Sequence, residues 1–438
     1  MPKDFYGTRS TAWWKVAVAM IGSVLSGVTF VSVPGMVGGI GFGYLQMCMG
    51  FVLGYLVIAF VLSPLYFRLN VVSVYEYLDR RFGVSSHRTG AWFFFISKML
   101  GASVRLYLMI AVLHQLLGGP AGIPFWITVL AVMLLEWLYT VRGGVKAVIG
   151  LDIVKTLSML LSVILCLVLI GREVGAPDRS LMRVFYFDDV NHPQFFFKQL
   201  LGGLFTVVAC TGLDQDMMQR TLACKNLRDS QKNLIVSVLL QVVVSSLFLF
   251  LGVYLYQYAA LHGIAASGDT LFPAVAWSGT LPASSLVAAL FVLGLLMAGF
   301  PAGGSALTAL TTSFTIDILG GKDKKRIWVH TGMAVLMAVC ILVFAALNST
   351  SVIDATYRLA SYTYGPILGL FSFGLLCKRP VRDRWVPLVA LLSPVLCLVL
   401  DVHSVTWFGG YRFSYELLPL NALFTCIGLL LLAKPKGK

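Results

Sequence analysis

The segment Gly22-Ser-Val-Leu-Ser-Gly-Val-Thr-Phe-Val-Ser-Val-Pro34-Gly35 decides the fold, because small, polar and proline residues interrupt an otherwise apolar stretch. A continuous apolar helix of roughly 20 residues crosses the ~30 Å hydrocarbon core of a bilayer. An interruption leaves backbone groups that only protein or a water-filled cavity can satisfy. Residues 202–212 carry a second interruption, with Gly202-Gly203 followed by Ala209-Cys-Thr-Gly212. Close helix packing through small residues is the alternative explanation for both segments.

Apolar stretches long enough to cross a membrane recur along the whole chain of 438 residues, of which 58% are hydrophobic and 12% are charged. Short polar connections separate them. Soluble proteins do not repeat such runs, so the sequence predicts an all-α polytopic membrane protein with about twelve transmembrane helices. The predicted spans are 12–33, 43–67, 89–117, 122–140, 146–170, 199–213, 233–258, 284–314, 327–348, 353–376, 385–401 and 416–433.

The 33 lysines and arginines are unevenly distributed between the predicted connections. Most lie in alternate connections and in the two tails, starting with the N-terminus, and the positive-inside rule then places both termini in the cytoplasm. The formal net charge of +14 therefore reflects topology in the cytoplasmic membrane, and nucleic-acid binding is not expected. Lys98, Arg105, Lys155 and Arg358 instead fall inside predicted spans. An ionisable residue in a span usually faces a cavity or a partner.

Several functional classes are disfavoured by what the sequence does not contain. It has no phosphate-binding G-x-x-x-x-G-K-[ST] loop, which disfavours an ATP-driven pump. The eight cysteines are scattered, with neither metal spacing nor a disulfide framework. The six histidines are dispersed as well, so neither an enzyme nor a dedicated transition-metal site is expected.

The two interrupted spans are the first and the sixth, which are corresponding positions of two five-span halves. Paired interruptions of this kind point to an inverted-repeat transporter with its binding site at the membrane midplane. We therefore expect a five-plus-five inverted repeat with broken helices 1 and 6. The whole chain, 1–438, would form one membrane transport domain, with core repeats at about 12–170 and 199–376 and extra helices within 385–433.

Four motifs carry a resemblance to a known family. Residues 66–83 closely resemble the loop after the second core helix of sodium:solute symporters. Residues 143–152, 214–226 and 306–317 are similar to that family's entry into the fifth core helix, its polar segment after the sixth and the end of its eighth. The motifs lie in the family's order. The resemblance implies the LeuT-like inverted-repeat fold and the transport of a small solute.

The resemblance also implies a substrate site. Residues 25–30 resemble the corresponding part of bacterial sialic acid symporters, a branch of the family. In that branch a serine, a threonine and an arginine of the third helix hold the substrate carboxylate. By motif position these residues are Ser26, Thr29 and Arg105. A planar guanidinium offers the paired donors that suit a carboxylate.

Two further residues complete the predicted substrate-binding set. They are Cys48, at a position where the branch has a long polar side chain, and Thr211, within the interrupted sixth span. The alternative for Arg105 is an internal ion pair with Glu136 or Asp354. The departure at Cys48 leaves the identity of the sugar or acid open.

The cation site departs from the family pattern. Family members bind sodium through backbone carbonyls of the broken first helix and two adjacent hydroxyls on the eighth. By motif position the carbonyls belong to Gly22, Leu25 and Ala298, whereas the hydroxyl positions fall on Pro301 and Ala302. Neither of these two residues has a side-chain oxygen. The sequence therefore predicts a weakened sodium site.

A second sodium site of the sialic acid branch would retain Asp152 and Ser305, with Gly304 at another ligand position. Lys155 stands one turn after Asp152, where the family commonly has glutamine, and residues three apart face each other on a helix. A proton on Lys155 or Asp152 is a candidate replacement for sodium, because the pKa of a lysine falls readily on burial. A purely structural pair of Asp152 with Lys155 is the alternative.

The sequence thus predicts a secondary active transporter, a cation:solute symporter that imports a small organic carboxylate such as a sialic-acid-like sugar acid by alternating access. Its expected partners are the small-molecule substrate and the lipid bilayer, and we expect a monomer. The coupling ion would be Na+ at a weakened site or H+, and no other cofactor is expected. A substrate-binding membrane sensor or a degenerate transporter is the alternative.

Overall fold

The computed structural model describes residues 12–24, 27–69, 74–281, 284–315, 326–347 and 351–434. Within these ranges the regular structure is helical, apart from isolated β-bridge residues such as Val381, which pairs with Ala433. The predicted all-α class is confirmed. The helices are α1 (Trp13–Val24), α2 (Gly27–Gly35), α3 (Val37–Ile40), α4 (Tyr44–Val57), α5 (Ser63–Leu69), α6 (Glu76–Arg81), α7 (Val84–Leu113), α8 (Phe125–Val174), α9 (Phe196–Val207), α10 (Gln215–Leu222), α11 (Leu227–Leu261), α12 (Leu271–Trp277), α13 (Ser284–Ser313), α14 (Arg326–Leu347), α15 (Val352–Thr363), α16 (Gly365–Leu376), α17 (Val386–Trp407) and α18 (Leu417–Leu432).

Seven helical segments of the described chain are long and apolar enough to cross a membrane, and three bent pairs add to them. Two shorter apolar helices are the first part of α8, Phe125–Leu138, and α18. The chain is therefore a multi-pass membrane protein. The seven segments are Tyr44–Leu69, Val84–Gly118, Lys155–Val174, Leu227–Leu261, Ser284–Ser313, Ile327–Leu347 and Asp383–Trp407.

The first and sixth spans are broken, as predicted. The first bends by 59° between Val16–Ser23 and α2, and the sixth bends by 70° between Phe196–Gly212 and α10. The α-helix of the sixth span passes into a π-helical turn, Val208–Gly212, before the span breaks. A break leaves carbonyl groups without helical partners, and lipid cannot satisfy them.

Tyrosine side chains satisfy the carbonyl groups at the sixth break. The hydroxyl of Tyr66 donates to the carbonyl of Gly212 at 3.1 Å, and that of Tyr75 donates to the carbonyl of Leu213 at 2.9 Å. Both tyrosines belong to the 66–83 motif. This motif therefore has a structural task at the break.

An aspartate begins the helix on the other side of the break. Asp214 Oδ1 accepts hydrogen bonds from the backbone N–H groups of Asp216 and Met217, at 2.9 and 3.2 Å. A carboxylate in this position caps the first turn of α10 and interacts favourably with the helix dipole. The chain restarts as a helix here because Asp214 supplies the acceptor that the first turn lacks.

The tenth span is bent too, which the sequence had not predicted. α15 and α16 meet at 47°. Tyr364 lies at the junction, and Pro366 stands in the first turn of α16. Proline lacks a backbone N–H, so it fits the start of a helix but does not continue one from the preceding turn.

One boundary prediction was wrong. The predicted spans 122–140 and 146–170 are joined in the single helix α8, which has 50 residues. Arg142 and Lys146 thus lie in a helix rather than in a loop. The reason is that residues 125–174 contain no proline, so every backbone N–H can donate, and Gly143-Gly144 weaken a helix without ending it. Nothing is described of the side chains of 142–154.

The second and sixth spans approach each other with almost no side chains between them. A Cβ atom on Gly50 would collide with the carbonyl oxygen of Leu200, and one on Gly203 with the carbonyl oxygen of Met47. Backbone atoms cannot move aside as the end of a flexible side chain can. The two glycines therefore allow direct backbone packing of α4 on α9.

We expect Gly203→Ala to lower the thermal stability of the purified protein, because overpacking a tight contact costs about 1–3 kcal/mol. The matched control is Gly332→Ala on α14, where an added Cβ would meet nothing within 4 Å. Alanine favours a helix over glycine, so the control should be unchanged or more stable. The measurement is the unfolding midpoint in detergent, and equal midpoints for the two variants would contradict the packing argument.

Candidate functional site

A cavity with charged side chains along its wall lies where the broken spans meet. It is bounded by α1, α2, α7, α8, α10, α13, α15 and the junction residue Tyr364. Charged groups in a membrane protein are costly unless they face a cavity or a partner. The charged side chains along this cavity are those of Lys98, Arg105, Lys155, Asp214, Asp216 and Arg220.

The ammonium group of Lys98 on α7 is held by two carboxylates of the sixth span. Its Nζ lies 3.3 and 3.2 Å from the two oxygens of Asp214 and 3.2 Å from Oδ2 of Asp216. The three side chains are largely buried. In a low-dielectric setting such a cluster is stable only as a unit, because removing one member leaves an uncompensated charge.

Asp214 connects three spans. Besides its bonds to Lys98 and to the first turn of α10, it accepts a hydrogen bond from the hydroxyl of Tyr364 at 2.9 Å. Tyr364 stands at the bend of the tenth span. One carboxylate therefore contacts the break of the sixth span, the bend of the tenth span and Lys98 on α7.

Arg220 on α10 balances Asp216 and reaches two further helices. Its Nη2 lies 3.6 Å from Oδ1 of Asp216 and donates to Oγ of Ser305 at 3.1 Å. Its Nη1 donates to Oγ of Ser23 on α1. A guanidinium therefore lies between the first and eighth spans, beside the segment where the resemblance places the sodium ligands.

Arg105 lies about two helical turns beyond Lys98 on α7 and lines the same cavity. Among the described residues it donates no hydrogen bond and forms no ion pair. Neither of the two alternative partners forms an ion pair with it. Asp354 accepts a hydrogen bond from Tyr415, and the buried carboxyl of Glu136 lies next to Gly303.

A tyrosine cluster borders the cavity near Arg105. Tyr357 lines the cavity, and its hydroxyl lies 3.0 Å from that of Tyr44 on α4. Its ring packs against Tyr415 with centroids 5.1 Å apart. These aromatic groups supply apolar surface and hydroxyls in one place, a combination typical of a site for a small organic ligand.

The structure brings several sequence-predicted residues together. Arg105, Lys155, Ala298 and Ser305 line the cavity, as do Pro301 and Ala302. Ser23 and Gly27 line it as well, next to Gly22 and to the predicted Ser26. Ser26 and Leu25 lie outside the described residues, and the side chain of Asp152 is not described.

Three predicted substrate residues do not line the cavity. Cys48 and Thr211 are buried between helices, and Thr29 is half-buried on α2. Sequence analysis also missed the partners of Lys98. The available signal was the unexplained lysine in a span, which requires an acid, together with Asp214 and Asp216 directly after the interrupted sixth span.

The bent first, sixth and tenth spans around a charged cavity define an inverted-repeat membrane transporter. The chain belongs to the sodium:solute symporter family, whose family model matches residues 5–383. This is a family of transporters, in agreement with the expectation of a transporter rather than an enzyme.

The relatives and solved structures support this assignment. The human sodium/iodide cotransporter is 23% identical over 90% of the chain, and the mouse sodium-coupled monocarboxylate transporter 2 is 24% identical over 84%. The chain spans 66% and 62% of their lengths. A solved Na+-coupled sialic acid symporter superposes with a TM-score of 0.79 at 19% identity, covering 98% of this chain and 92% of that one. The expected fold is thereby confirmed.

We expect Lys98→Met to destabilise the protein by about 3–5 kcal/mol, because it leaves Asp214 and Asp216 with excess buried negative charge. The double variant Lys98→Met/Asp214→Asn should lose less than the sum of the two single variants, since their effects are coupled. The measurement is thermal unfolding in detergent.

The matched control is Arg358→Met. Arg358 pairs with Asp401 at 3.0 Å, but its side chain is 50% exposed, so the expected loss is about 0–1 kcal/mol. Additive losses in the double variant, or equal losses for Lys98→Met and Arg358→Met, would show that the Lys98 cluster does not act as a unit.

Proposed function

We propose that the protein is a secondary active transporter that imports a small organic carboxylate by alternating access. The observation that carries this proposal is Arg105, a cation on the cavity wall with no ion-pair partner among the described residues. A guanidinium in such a place is suited to bind the anionic group of a ligand in two parallel hydrogen bonds.

The charges nearby support this role. Lys98 and Arg220 contribute two positive charges, and Asp214 and Asp216 contribute two negative charges that contact them. This cluster of four is therefore neutral as a whole. Arg105 adds a positive charge that no ion pair with a described side chain neutralises, so it attracts an anion that enters the cavity.

The names of the similar proteins agree with an anionic substrate. They are described as transporters of iodide, of monocarboxylates and of sialic acid. We propose a sugar acid of the sialic acid kind as the leading candidate, with its carboxylate bound by Arg105 and with Ser26 as a further contact implied by the resemblance. The chain would act as a monomer in the cytoplasmic membrane, with both termini in the cytoplasm.

Arg105→Ala should reduce carboxylate uptake into proteoliposomes more than about tenfold, because a hydrogen bond to a charged group contributes about 1.5–3 kcal/mol. Arg105→Lys keeps the charge but not the planar pair of donors, so it should retain partial uptake. The control Arg172→Ala removes an exposed arginine at the end of α8 and should transport normally. Normal uptake by Arg105→Ala, or binding of neutral sugars only, would refute the carboxylate proposal.

Coupling to sodium is proposed to be weak. Pro301 and Ala302 lie on the cavity wall where hydroxyl ligands would be needed, and neither has a side-chain oxygen. The Arg220 guanidinium bridges Ser23 and Ser305 in the same region, where a fixed positive charge repels a monovalent cation. Gly22, Leu25 and Ala298 would still offer carbonyls. A proton, on Lys155 or Asp152 or at another acid, would take over the coupling.

Replacing sodium by choline at constant pH should therefore change uptake less than about tenfold, which corresponds to about 1.4 kcal/mol of coupling. A pH gradient, acidic outside, should drive accumulation in the absence of sodium. Steep and saturable activation by sodium that survives Lys155→Gln would restore the family's ordinary coupling.

A sensor or degenerate transporter is the second candidate, favoured by the same altered cation site. Counterflow separates the two, since only a transporter exchanges internal unlabelled for external labelled substrate across a bilayer. Ligand-dependent thermal stabilisation without counterflow would identify the sensor.

A further inference from the structure

Glu136 on α8 is a buried acid to which the proposed function assigns no role. Its side chain has no exposed surface, and neither carboxyl oxygen has a hydrogen-bond partner among the described residues. It therefore differs from Asp214 and Asp216, which are fully engaged with cations and backbone N–H groups. An intramembrane acid without a partner is costly to keep ionised.

The carboxyl group lies directly behind the wall of the cavity. A Cβ atom on Gly303 would come within 2.7 Å of Glu136 Oε1 and 2.8 Å of Leu106 Cδ2. Gly303 and Leu106 both line the cavity, and Leu106 follows Arg105 on α7. One layer of residues thus separates Glu136 from the space in which the substrate is proposed to bind.

That layer belongs to a deformable part of α13. Pro301 lies inside this helix and removes one of its backbone hydrogen bonds. Gly299, Gly303 and Gly304 surround it, and glycine lowers the stability of a helix further. A small displacement of α13 at this point would open a route from the cavity to Glu136.

The titratable groups on the packed helices leave the carboxyl isolated. α13 carries no ionisable residue. α7 contributes Lys98 and Arg105, which line the cavity, and also carries His87, Arg88 and Tyr107, none of which bonds to Glu136. α14 contributes Cys340 and His330, apart from Arg326, whose side chain is not described. The ring of His330 is held by Thr140 at 2.8 Å and Thr311 at 2.9 Å.

Thr140 also donates a hydrogen bond to the backbone carbonyl of Glu136 at 2.7 Å. This contact fixes the helix turn but leaves the carboxyl group untouched. No described charged side chain therefore stabilises an anion at Glu136, and the neutral acid is the form compatible with the closed wall.

We propose that Glu136 is a proton-binding site, and that the proton it carries is the ion coupled to carboxylate transport. With α13 displaced, the carboxylate would take up a proton from water in the cavity. With the wall closed, the neutral acid is retained, and the same proton leaves when the cavity opens to the other side. No other group is oxidised, reduced or consumed. The coupling role rests on the proposed transport function, whereas the protonation of Glu136 does not.

The transport test uses Glu136→Gln, which mimics the neutral acid but cannot release a proton. In proteoliposomes, we expect counterflow of labelled sialic acid, or of labelled propionate where sialic acid is not exchanged, to stay within about twofold of the wild type. Accumulation driven by a pH gradient should be lost. The matched control Glu173→Gln alters an acid that is paired with His262 at 2.8 Å, and it should accumulate substrate normally.

Accumulation by Glu136→Gln at the wild-type level would overturn the coupling role, as would loss of counterflow together with accumulation in a folded variant. Absence of counterflow in the wild type would instead contradict the proposed transport function.

Infrared spectroscopy tests the protonation separately, without any substrate. The wild type should show a protonated-carboxyl band at neutral pH that is absent from Glu136→Gln, and identical spectra would overturn the proton site. If Glu136→Gln does not fold, Glu136→Asp replaces it and should shift the pH at which this band titrates, while an unshifted band would count against the site.

Discussion

The contact of Lys98 with Asp214 and Asp216 is the constraint on which the centre of the molecule depends. A lysine in the middle of a membrane helix needs compensating charge, and here both acids come from the segment where the sixth span breaks. Asp214 at the same time caps α10 and binds Tyr364 at the bend of the tenth span. The position of one ammonium group thus determines where three spans meet.

Apart from Lys155, the charged side chains along the cavity fall into two groups. The first group, formed by Lys98, Asp214, Asp216 and Arg220, has no net charge and links α1, α7, α10 and α13. The second consists of Arg105, whose charge is not balanced by an ion pair with a described side chain. The first group uses its charges for contacts within the protein, whereas Arg105 forms no ion pair with a described side chain.

Features with a local signature in the sequence could be predicted. The breaks in the first and sixth spans follow from glycine, proline and small polar residues, and the place of Arg105 follows from its resemblance to a family motif. The bend at Tyr364 could not be found in this way, because a single Pro366 also fits an unbroken start of a helix. The continuous α8 was missed because Arg142 and Lys146 suggested a loop.

Contacts between distant segments were harder to predict. The position of Lys98 within a span indicates that it needs an acidic partner. The residues next to it do not show that this partner is Asp214, which lies 116 residues further along the chain. Whether Cys48 or Thr211 faces the cavity depends on the rotation of its helix, which neighbouring helices set. The small residues around both positions pack against other helices, so the sequence pattern alone did not determine their orientation.

The hydroxyls of Tyr66 and Tyr75 have a consequence for how proteins of this kind are classified. They donate to the carbonyls of Gly212 and Leu213 at the break, and neither tyrosine lines the cavity. The 66–83 motif, which closely resembles the family, therefore supplies hydrogen-bond donors to the carbonyl groups of an interrupted helix. Similarity in this stretch therefore indicates a shared fold and carries no information about the transported solute. Proteins that share the 66–83 motif can therefore differ in the residues that line the cavity.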